Sequence, residues 1–360
     1  MKTNKINIFY DTCIFEIQNI GGISIVFGEL INRIKNINHI KVSFIGSNNL
    51  FNNLIFPNIK DGIPFIKELK LPKAILPFTP LLIKLPKWSI YHSTYNRYSF
   101  QKNITKIITI HDLGYEKHIM QSGIRRIVHL FFKKIAIKNA NAIICVSKNT
   151  FNDLKNHYGD LLTNKIVRVI YNGVDPIFFT SQENSIPKSK NLLFVGGRHP
   201  YKNFKNVVLA TKELKDINLI IAGGGNLSKG DISFLEKHIP GRYSFKKNLS
   251  TAEMASLYKT SLCLVYPSSY EGFGLPLLEA MAAGCPVVAC KNSCIEEIAG
   301  DAAVLIKDSQ VINIIEGVQR LSNESFNQEL ITKGKLQAKN FTWEKTVYET
   351  LELYKSIEIK

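Results

Sequence analysis

The sequence predicts an α/β protein with two doubly wound parallel sheets, and three observations lead to that fold class. Short apolar runs of strand length alternate with longer segments of helical periodicity, as in parallel sheets covered by helices. The alternation occurs in two series, which a polar stretch at 172–190 separates. A chain of 360 residues is also long enough for two domains of ordinary size.

Each series supplies one sheet. Strands are predicted at 6–9, 41–45, 90–92, 106–110, 142–146 and 167–170, and then at 192–195, 218–222, 262–266, 286–289 and 303–306. Helices are predicted at 22–35, 123–139, 148–157, 203–215, 228–238, 251–259 and 276–283, with a mainly helical stretch at 309–357. Ser147 is a plausible N-cap, and Ser250 with Glu253 forms a capping box.

Charge and cysteine content narrow the class of protein. Residues 1–180 contain 24 Lys and Arg against 10 Asp and Glu, whereas residues 181–360 contain 22 against 19. The basic first half favours an anionic partner, and without a recognised nucleic-acid motif we expect an anionic membrane surface or a lipid diphosphate. Compositional drift in a chain rich in Lys, Asn and Ile is the alternative.

The six cysteines are scattered without a CxxC pair, which argues against a zinc site and suits free thiols in the cytoplasm. No apolar run is long enough to span a bilayer, and the N-terminal segment reads as a first strand rather than a signal peptide.

The most informative segment is 268–284, SSYEGFGLPLLEAMAAG, which lies between two predicted buried strands. Gly272 and Gly274 allow backbone to approach a ligand closely, Pro276 suits a helix start, and Gly284 suits the left-handed residue that ends a helix. Glu271 precedes the turn, and Glu279 is expected in the first helical turn. Carboxylates accept from hydroxyl groups and helix-start amides donate to anions, so the segment could bind a phosphorylated, polyhydroxylated ligand. A purely structural turn is the alternative.

This segment resembles the nucleotide-sugar signature of family 4 retaining glycosyltransferases of the GT-B fold, in which two glutamates flank seven residues. The resemblance implies that Glu271 faces the donor sugar and Glu279 binds the ribose hydroxyls. It also implies donor contacts by the backbone of Gly272, Phe273, Gly274 and Leu275.

The loop after the strand at 192–195 reads GGRHPYKN and contains Gly197, Arg198 and Lys202. Two cations at the end of a buried strand could stabilise the charge that develops on a departing diphosphate, although solvated surface cations are the alternative. The resemblance supports the diphosphate role, with a spacing shorter than in some members of the family.

Two further sites are predicted in the first half. Gly21 and Gly22 precede an amphipathic helix, and in the family a glycine-rich loop here approaches the donor phosphate and the acceptor. The preceding IFEIQNIGGIS resembles a subgroup that includes mannosyltransferases of bacterial surface polysaccharides. His111 and Asp112 follow the strand at 106–110, and the resemblance implies that His111 contacts the donor sugar, with Asp112 on the acceptor side. A hydrolase is disfavoured because no GxSxG elbow is present.

The segment 123–139 is basic and amphipathic, with Arg125, Arg126, Lys133, Lys134 and Lys138 around Ile127, Val128, Leu130 and Phe131. It could lie on an anionic membrane or pack on the sheet with its cations in water. The Pro-rich stretch 71–88 could likewise face a membrane or cover the core of the first domain.

The domain organisation expected from these patterns is an acceptor-binding domain at 1–175, a linker at 176–190 and a nucleotide-sugar-binding domain at 191–340. The FTWE motif at 341–344 resembles the family's closing helix, which implies that 341–360 packs back on the first domain. Ligands of open α/β sheets bind at the carboxyl ends of strands, so the site is expected in a cleft between the domains. Domain closure should bring Gly22 and His111 against Glu271 and Arg198.

We therefore expect a cytoplasmic, metal-independent hexosyltransferase without cofactors that retains the anomeric configuration, with peripheral binding to the inner membrane face left open. Subgroup resemblance implies GDP-mannose as donor and a lipid-linked polysaccharide as acceptor; a UDP- or dTDP-sugar is the alternative. A non-catalytic sugar-nucleotide or glycan-binding protein also stays open. A Rossmann dehydrogenase is disfavoured because the glycines at 223–225 lack the GxGxxG pattern.

Overall fold

The computed structural model describes residues 5–47, 53–120, 122–179 and 189–357. These residues form two compact units. Unit 1 consists of the chain up to Asn172 together with the segment from Trp343 onward, and unit 2 runs Gly173–Thr342. Most of the predicted linker, 180–188, lies outside the described residues, and its start forms a 3₁₀ turn at Pro176–Phe179.

Each unit contains one parallel sheet, which confirms the predicted fold class. The strands in chain order are β1 Ile6–Asp11, β2 Ile40–Gly46, β3 Phe65–Lys67, β4 Ile90–Ser93, β5 Thr105–Ile110, β6 Ala142–Cys145, β7 Ile166–Val169, β8 Asn191–Val195, β9 Asn218–Ala222, β10 Tyr243–Lys246, β11 Cys263–Tyr266, β12 Val287–Cys290 and β13 Val304–Ile306. Over the described residues the sheet order is β3-β2-β1-β4-β5-β6-β7 in unit 1 and β10-β9-β8-β11-β12-β13 in unit 2.

Every predicted strand is present, and β3 and β10 are additional. Both lie at the edge of their sheet and carry half-buried or exposed side chains. They therefore lack the continuous apolar run that marks a strand buried on both faces.

The helices in chain order are α1 Cys13–Ile17, α2 Gly22–Ile34, α3 Phe56–Ile59, α4 Ile124–Asn139, α5 Lys148–Tyr158, α6 Phe204–Glu213, α7 Lys229–His238, α8 Thr251–Thr260, α9 Leu275–Ala282, α10 Ile295–Ala299, α11 Val311–Arg320, α12 Glu324–Ala338 and α13 Trp343–Ser356. The predicted caps are confirmed, since Ser147 Oγ accepts from the Thr150 amide and Ser250 forms a capping box with Glu253. None of the helices in the described ranges combines the length and apolar character needed to cross a membrane.

A buried polar chain joins α13 to the sheet of unit 1. The hydroxyl of Tyr354 lies 2.8 Å from that of Tyr10 and 2.6 Å from Nδ1 of His92, whose Nε2 lies 2.9 Å from the Thr109 hydroxyl. Because each of these groups has a partner, the Tyr354 side chain of α13 is buried in this core without leaving its hydroxyl unsatisfied.

Candidate functional site

The turn between β11 and α9 in unit 2 is held by hydrogen bonds that fix the backbone of Glu271. Its amide donates to Ser293 Oγ at 3.0 Å, and the Cys294 thiol donates to its carbonyl at 3.2 Å. Gly274 caps α9 with φ 92°, a left-handed conformation that favours glycine. These contacts fix the backbone position from which the Glu271 side chain extends.

Lys202 forms an ion pair with Glu271. Lys202 ends a 3₁₀ turn at Pro200–Lys202 that follows β8, and its ammonium pairs with Oε1 of Glu271 beside the end of β11. Both side chains are about 13% exposed, so the pair is shielded yet open to a ligand. The ammonium also lies 5.2 Å from the ring centroid of Tyr266.

The turns that carry these two side chains are tied to each other. The amide of Ser269 donates to the Tyr201 carbonyl at 2.7 Å. The side-chain amide of Asn203 donates to Ser269 Oγ and to the Pro267 carbonyl, each at 2.8 Å. These hydrogen bonds therefore fix the turn that carries Lys202 relative to the turn that carries Glu271.

Arg198 lies at the predicted strand end, but its guanidinium faces the loop after β9. It donates to the carbonyls of Gly223, Gly224, Gly225 and Asn226 at 2.8 to 3.1 Å. Its Nε lies 3.5 Å from Asp231, and the side chain is 6% exposed. Its role at a diphosphate stays a prediction, which requires the guanidinium to leave these carbonyls.

The reason for this placement is local backbone geometry. Gly223, Gly224 and Gly225 all have φ between 70° and 78°, so successive carbonyls are free to converge on one cation. A Cβ on Gly224 would lie 2.2 Å from the Gly196 carbonyl oxygen, so the two loops touch through backbone. Gly197, the other glycine of the predicted phosphate loop, lies in the same contact.

Glu279 occupies the second turn of α9, because the helix begins at Leu275; the sequence placed it in the first turn. Pro276 is accordingly the second helical residue, and Gly284 adopts φ 70° just after the helix, as predicted. The Tyr258 hydroxyl donates to Oε2 of Glu279 at 2.8 Å. Burial raises the pKa of Glu279 to about 7, with a further rise from Asp175 and an opposing effect of the Tyr258 hydrogen bond.

The predicted site in unit 1 centres on His111, at the end of β5. Its ring lies edge-on to Phe27 of α2, with centroids 5.9 Å apart. Nε2 is buried, and no hydrogen-bond partner for it lies among the residues that the structure describes. Burial lowers the pKa of His111 to about 3, helped by the nearby Lys133, so the imidazole is neutral at physiological pH.

Lys133 fixes the loop that carries His111 and Asp112. Its ammonium donates to the Asp112 carbonyl at 2.8 Å and lies 3.0 Å from Glu116 Oε1. Sequence analysis placed Lys133 with the surface cations of α4, but the helix turns this residue toward β5 and buries it in the ion pair. Only its position opposite the exposed face in the helical repeat could have shown this.

Gly21 and Gly22 lie at the start of α2, as predicted. The amide of Gly21 donates to Ser24 Oγ at 3.0 Å, and the Ser24 hydroxyl donates to the Gly21 carbonyl at 2.9 Å. Gly21 has an extended backbone, and Gly22 is exposed. The approach of Gly22 and His111 in unit 1 to Glu271 and Arg198 in unit 2 stays a prediction.

Sequence reasoning missed three residues that support the site in unit 2: Tyr266, Tyr258 and Ser293. Each acts on a predicted residue, namely Lys202, Glu279 and Glu271 respectively. The two tyrosines lie in a strand and a helix that read as core. Ser293 has φ 45°, which its sequence context does not signal.

Two family models match consecutive parts of the chain. The model described as Glycosyltransferase Family 4 matches residues 20–178, and the model described as Glycosyl transferases group 1 matches residues 177–337. The boundary between them falls close to the start of unit 2.

Curated relatives and solved structures agree with these matches. An uncharacterized glycosyltransferase of Methanocaldococcus jannaschii is 29% identical over 94% of this chain and 95% of its own length. O-antigen chain mannosyltransferase RfbU of Salmonella typhimurium is 27% identical over 63% of each chain. O-antigen chain mannosyltransferase B of Escherichia coli is 39% identical, over 29% of this chain and 27% of its own.

Among solved structures, sucrose-phosphate synthase of Thermosynechococcus elongatus superposes with a TM-score of 0.77 at 18% identity, over 98% of this chain and 99% of that one. Anabaena HepE in complex with UDP-glucose gives 0.74 at 14% identity, over 98% and 100%. The paired family models and the two-sheet architecture together show that the chain belongs to the family 4 and group 1 glycosyltransferases, enzymes of the GT-B fold.

Proposed function

We propose that this glycosyltransferase moves a hexose from a nucleotide sugar to a growing lipid-linked surface polysaccharide, with retention at the anomeric carbon. The observation that carries the proposal is the shielded Lys202–Glu271 ion pair at the ends of β8 and β11. An ammonium suits the diphosphate of a donor, and a carboxylate beside it suits the hydroxyls of the transferred sugar.

The chemistry proposed for these residues is front-face displacement. The acceptor hydroxyl oxygen bonds to the anomeric carbon while the bond from that carbon to the diphosphate breaks, and the departing phosphate oxygen takes the hydroxyl proton. Lys202 stabilises the charge that develops on the leaving group, which lowers the barrier more than it favours donor binding. We propose that no metal ion is needed for this step. Neutral His111 would contact the sugar near the reacting carbon.

The donor proposed first is GDP-mannose. Its support is the resemblance of the chain to the two O-antigen mannosyltransferases, which rests on part of the chain in each case. A UDP- or dTDP-sugar is the alternative, and HepE, with UDP-glucose bound, shares the fold. The names of the O-antigen relatives also support a surface polysaccharide as acceptor, such as an O-antigen, a capsule or an exopolysaccharide.

The place of action proposed is the cytoplasm, at the inner face of the membrane. A lipid-linked acceptor is held at that surface, and the basic first half of the chain is complementary to anionic lipid headgroups.

The test is a thermal-shift screen of the full chain against GDP-, UDP-, dTDP- and ADP-sugars. A ligand that binds only the folded state at about 100 times its Kd adds about 2.7 kcal/mol of stability, a shift that such a screen resolves. We expect GDP-mannose to give the largest shift, and a larger UDP-sugar shift would replace it as donor. Stabilisation by none of them would refute the nucleotide-sugar site.

Turnover is tested next with the preferred donor, a lipid-linked acceptor and NMR of the product's anomeric proton. Retention supports the mechanism, and inversion contradicts it. Donor binding without transfer to any lipid-linked glycan would favour the non-catalytic binding protein.

A further inference from the structure

One face of α4 is exposed, and its composition changes along the helix. Residues 124, 127, 131, 134 and 138 follow the spacing 3, 4, 3, 4, which places them on one side of the helix. Ile124, Ile127 and Phe131 are 79%, 65% and 59% exposed. Lys134 and Lys138 are exposed farther along the same face. We call these five residues the α4 face.

The opposite side of α4 is fully used in packing. His129, Lys133, Ala136 and Ile137 are buried there, against the sheet and the loop after β5. The helix therefore does not need the α4 face for its own stability. Three large apolar side chains on one exposed stripe are unusual for a surface that meets only water.

A line of ring contacts that passes through the half-buried Phe132 and the buried Tyr98 connects the helix to another exposed ring. Phe131 lies 5.2 Å from Phe132, which lies 6.4 Å from Tyr98, which lies 5.3 Å from Phe100, all between ring centroids. Phe100 is itself 66% exposed. The line ends at a second exposed aromatic ring in unit 1.

The part of the chain that supplies this surface is strongly basic. Residues 69–152 contain 14 Lys and Arg and only two acidic residues, Asp112 and Glu116. The carboxylate of Glu116 is buried in an ion pair with Lys133, so it does not offset the positive charge of the surface. The stretch that supplies the α4 face therefore carries most of the excess charge of the first half.

We propose that the α4 face docks unit 1 on an anionic membrane surface, with Ile124, Ile127 and Phe131 in the headgroup region and Lys134 and Lys138 on lipid phosphates. A stripe that combines apolar side chains with cations is the pattern of a helix that lies in the membrane interface. The inference rests on the membrane partner proposed above and names the surface that meets it.

Other occupants fit less well. A second copy related by a two-fold axis would set the same cations against each other, and residues 69–152 offer almost no acidic partners. A nucleic acid would be complementary to the lysines but would leave the three apolar side chains against phosphates and sugars.

The experiment is co-sedimentation of the full chain with vesicles of phosphatidylcholine, either alone or with about 30 mol% phosphatidylglycerol, at low and high salt. We expect binding to the anionic vesicles only, weakened by salt. The apolar variant Ile127→Asn with Phe131→Asn should lower the partition coefficient at least about tenfold. The charge variant Lys134→Gln with Lys138→Gln should lower it about 25-fold, at about fivefold per cation.

Matched controls come from unit 2. Ile312 and Leu336 are 54% and 59% exposed, so Ile312→Asn with Leu336→Asn removes similar exposed apolar area. Lys212 and Lys215 are exposed, so their replacement by Gln removes the same charge. Both controls should bind vesicles like the unmodified chain, and thermal melts should show all variants folded.

Three results would overturn the inference, and they differ in what else they reject. If the unmodified chain ignores anionic vesicles, the proposed membrane partner fails as well. If it binds but the α4 variants bind equally, or the controls lose as much, only the assignment of the surface fails. A dimer in sedimentation velocity that the α4 variants dissociate would assign the face to a second copy. Donor binding by thermal shift uses no membrane and is unaffected by any of these results.

Discussion

The ammonium of Lys202 is paired with the carboxylate of Glu271, and the pair joins the ends of two neighbouring strands in unit 2. The resemblance to the family implies that Lys202 contacts the diphosphate of the donor and Glu271 its sugar. Their pairing means that each charge is neutralised by the other when no donor is bound. A bound diphosphate would compete for Lys202 and leave Glu271 for the sugar hydroxyls.

The first prediction tests this pair with Lys202→Met, Glu271→Gln and the double variant. We expect each single change to lower kcat roughly 10²-fold or more, because each removes a charged contact at the reacting centre. Lys202→Met should also destabilise unit 2 by about 1–3 kcal/mol, since it leaves a shielded carboxylate unpaired. In the double variant that loss should largely disappear.

Urea unfolding and steady-state kinetics measure both effects. Lys205→Met is the control, since Lys205 is an exposed lysine three residues farther along, with its ammonium 5.3 Å from the centroid of the Phe234 ring. Additive losses of stability in the double variant would show that the two charges do not interact.

The second prediction concerns Arg198, whose guanidinium binds the carbonyls of residues 223–226. Arg198→Ala should destabilise unit 2 by about 1 kcal/mol, because four carbonyls of a half-buried to exposed loop lose a charged donor but can still bind water. It should also lower transfer. Arg198→Lys should recover little, because an ammonium cannot reproduce the planar fork.

Comparing stability with donor affinity separates the two roles of Arg198. A loss of stability with unchanged affinity for the nucleoside diphosphate indicates that the residue only shapes the loop. A large loss of affinity at unchanged stability would instead support the predicted diphosphate contact.

How far the sequence predicts this protein depends on how each feature is encoded. Buried parallel strands are visible as continuous apolar runs, so β8, β9 and β11 were placed within a residue or two. The two ends of α9 are visible in the sequence because Gly274, Pro276 and Gly284 each mark a particular backbone conformation. These features are local, and sequence spacing determines them.

The features that the sequence did not predict depend on contacts between distant residues. Lys133 and Lys134 are adjacent, yet one is buried on Glu116 and the other exposed, because α4 turns by 100° per residue. Arg198 was placed at the correct strand end, but the direction of its side chain depends on three left-handed glycines some 25 residues away. Knowing that a residue is a cation, or that it follows a strand, predicts neither the burial of Lys133 nor the direction of the Arg198 side chain.

The third prediction is that transfer needs no divalent metal. If Lys202 supplies the charge stabilisation proposed, added EDTA should leave the initial rate unchanged within error. The measurement is a transfer assay with and without EDTA, followed by addition of Mg²⁺ or Mn²⁺. Loss of activity with EDTA that either metal restores would contradict the proposal.

The fourth prediction uses the raised pKa of Glu279, about 7 in the folded protein. The unfolded chain ionises this carboxyl near 4.5, so between those pH values the folded state holds a proton that the unfolded state has lost. Stability therefore falls as pH rises from 4.5 to 7, by roughly 3 kcal/mol, and stays low above that.

Glu279→Gln should remove this cost, because a neutral amide can still accept the Tyr258 hydrogen bond. The variant should be more stable than the unmodified chain at pH 8, with a difference below about 1 kcal/mol at pH 5. Urea unfolding at the two pH values measures it. Equal stabilities at pH 8 would show that Glu279 is ionised without penalty in the folded protein. Donor binding should weaken in the variant if Glu279 holds the ribose.

The last prediction concerns acid sensitivity of unit 1, where burial lowers the pKa of His92 and His111 to about 3 and of His129 to about 4. The unfolded chain protonates each ring near pH 6.5, while the folded unit keeps it neutral. Stability is therefore retained above pH 6.5 and falls as pH decreases, by roughly 5 kcal/mol for the three rings between pH 7 and pH 5.

Hydrogen exchange at the two pH values, corrected for the intrinsic rate, should show β4 and β5 losing protection. His92→Gln should reduce by one the number of protons that the chain takes up on unfolding in this pH range. The exposed His157→Gln is the control and should leave it unchanged. If protection in β4 and β5 is the same at pH 5 and pH 7, the three imidazoles are not held neutral by the fold.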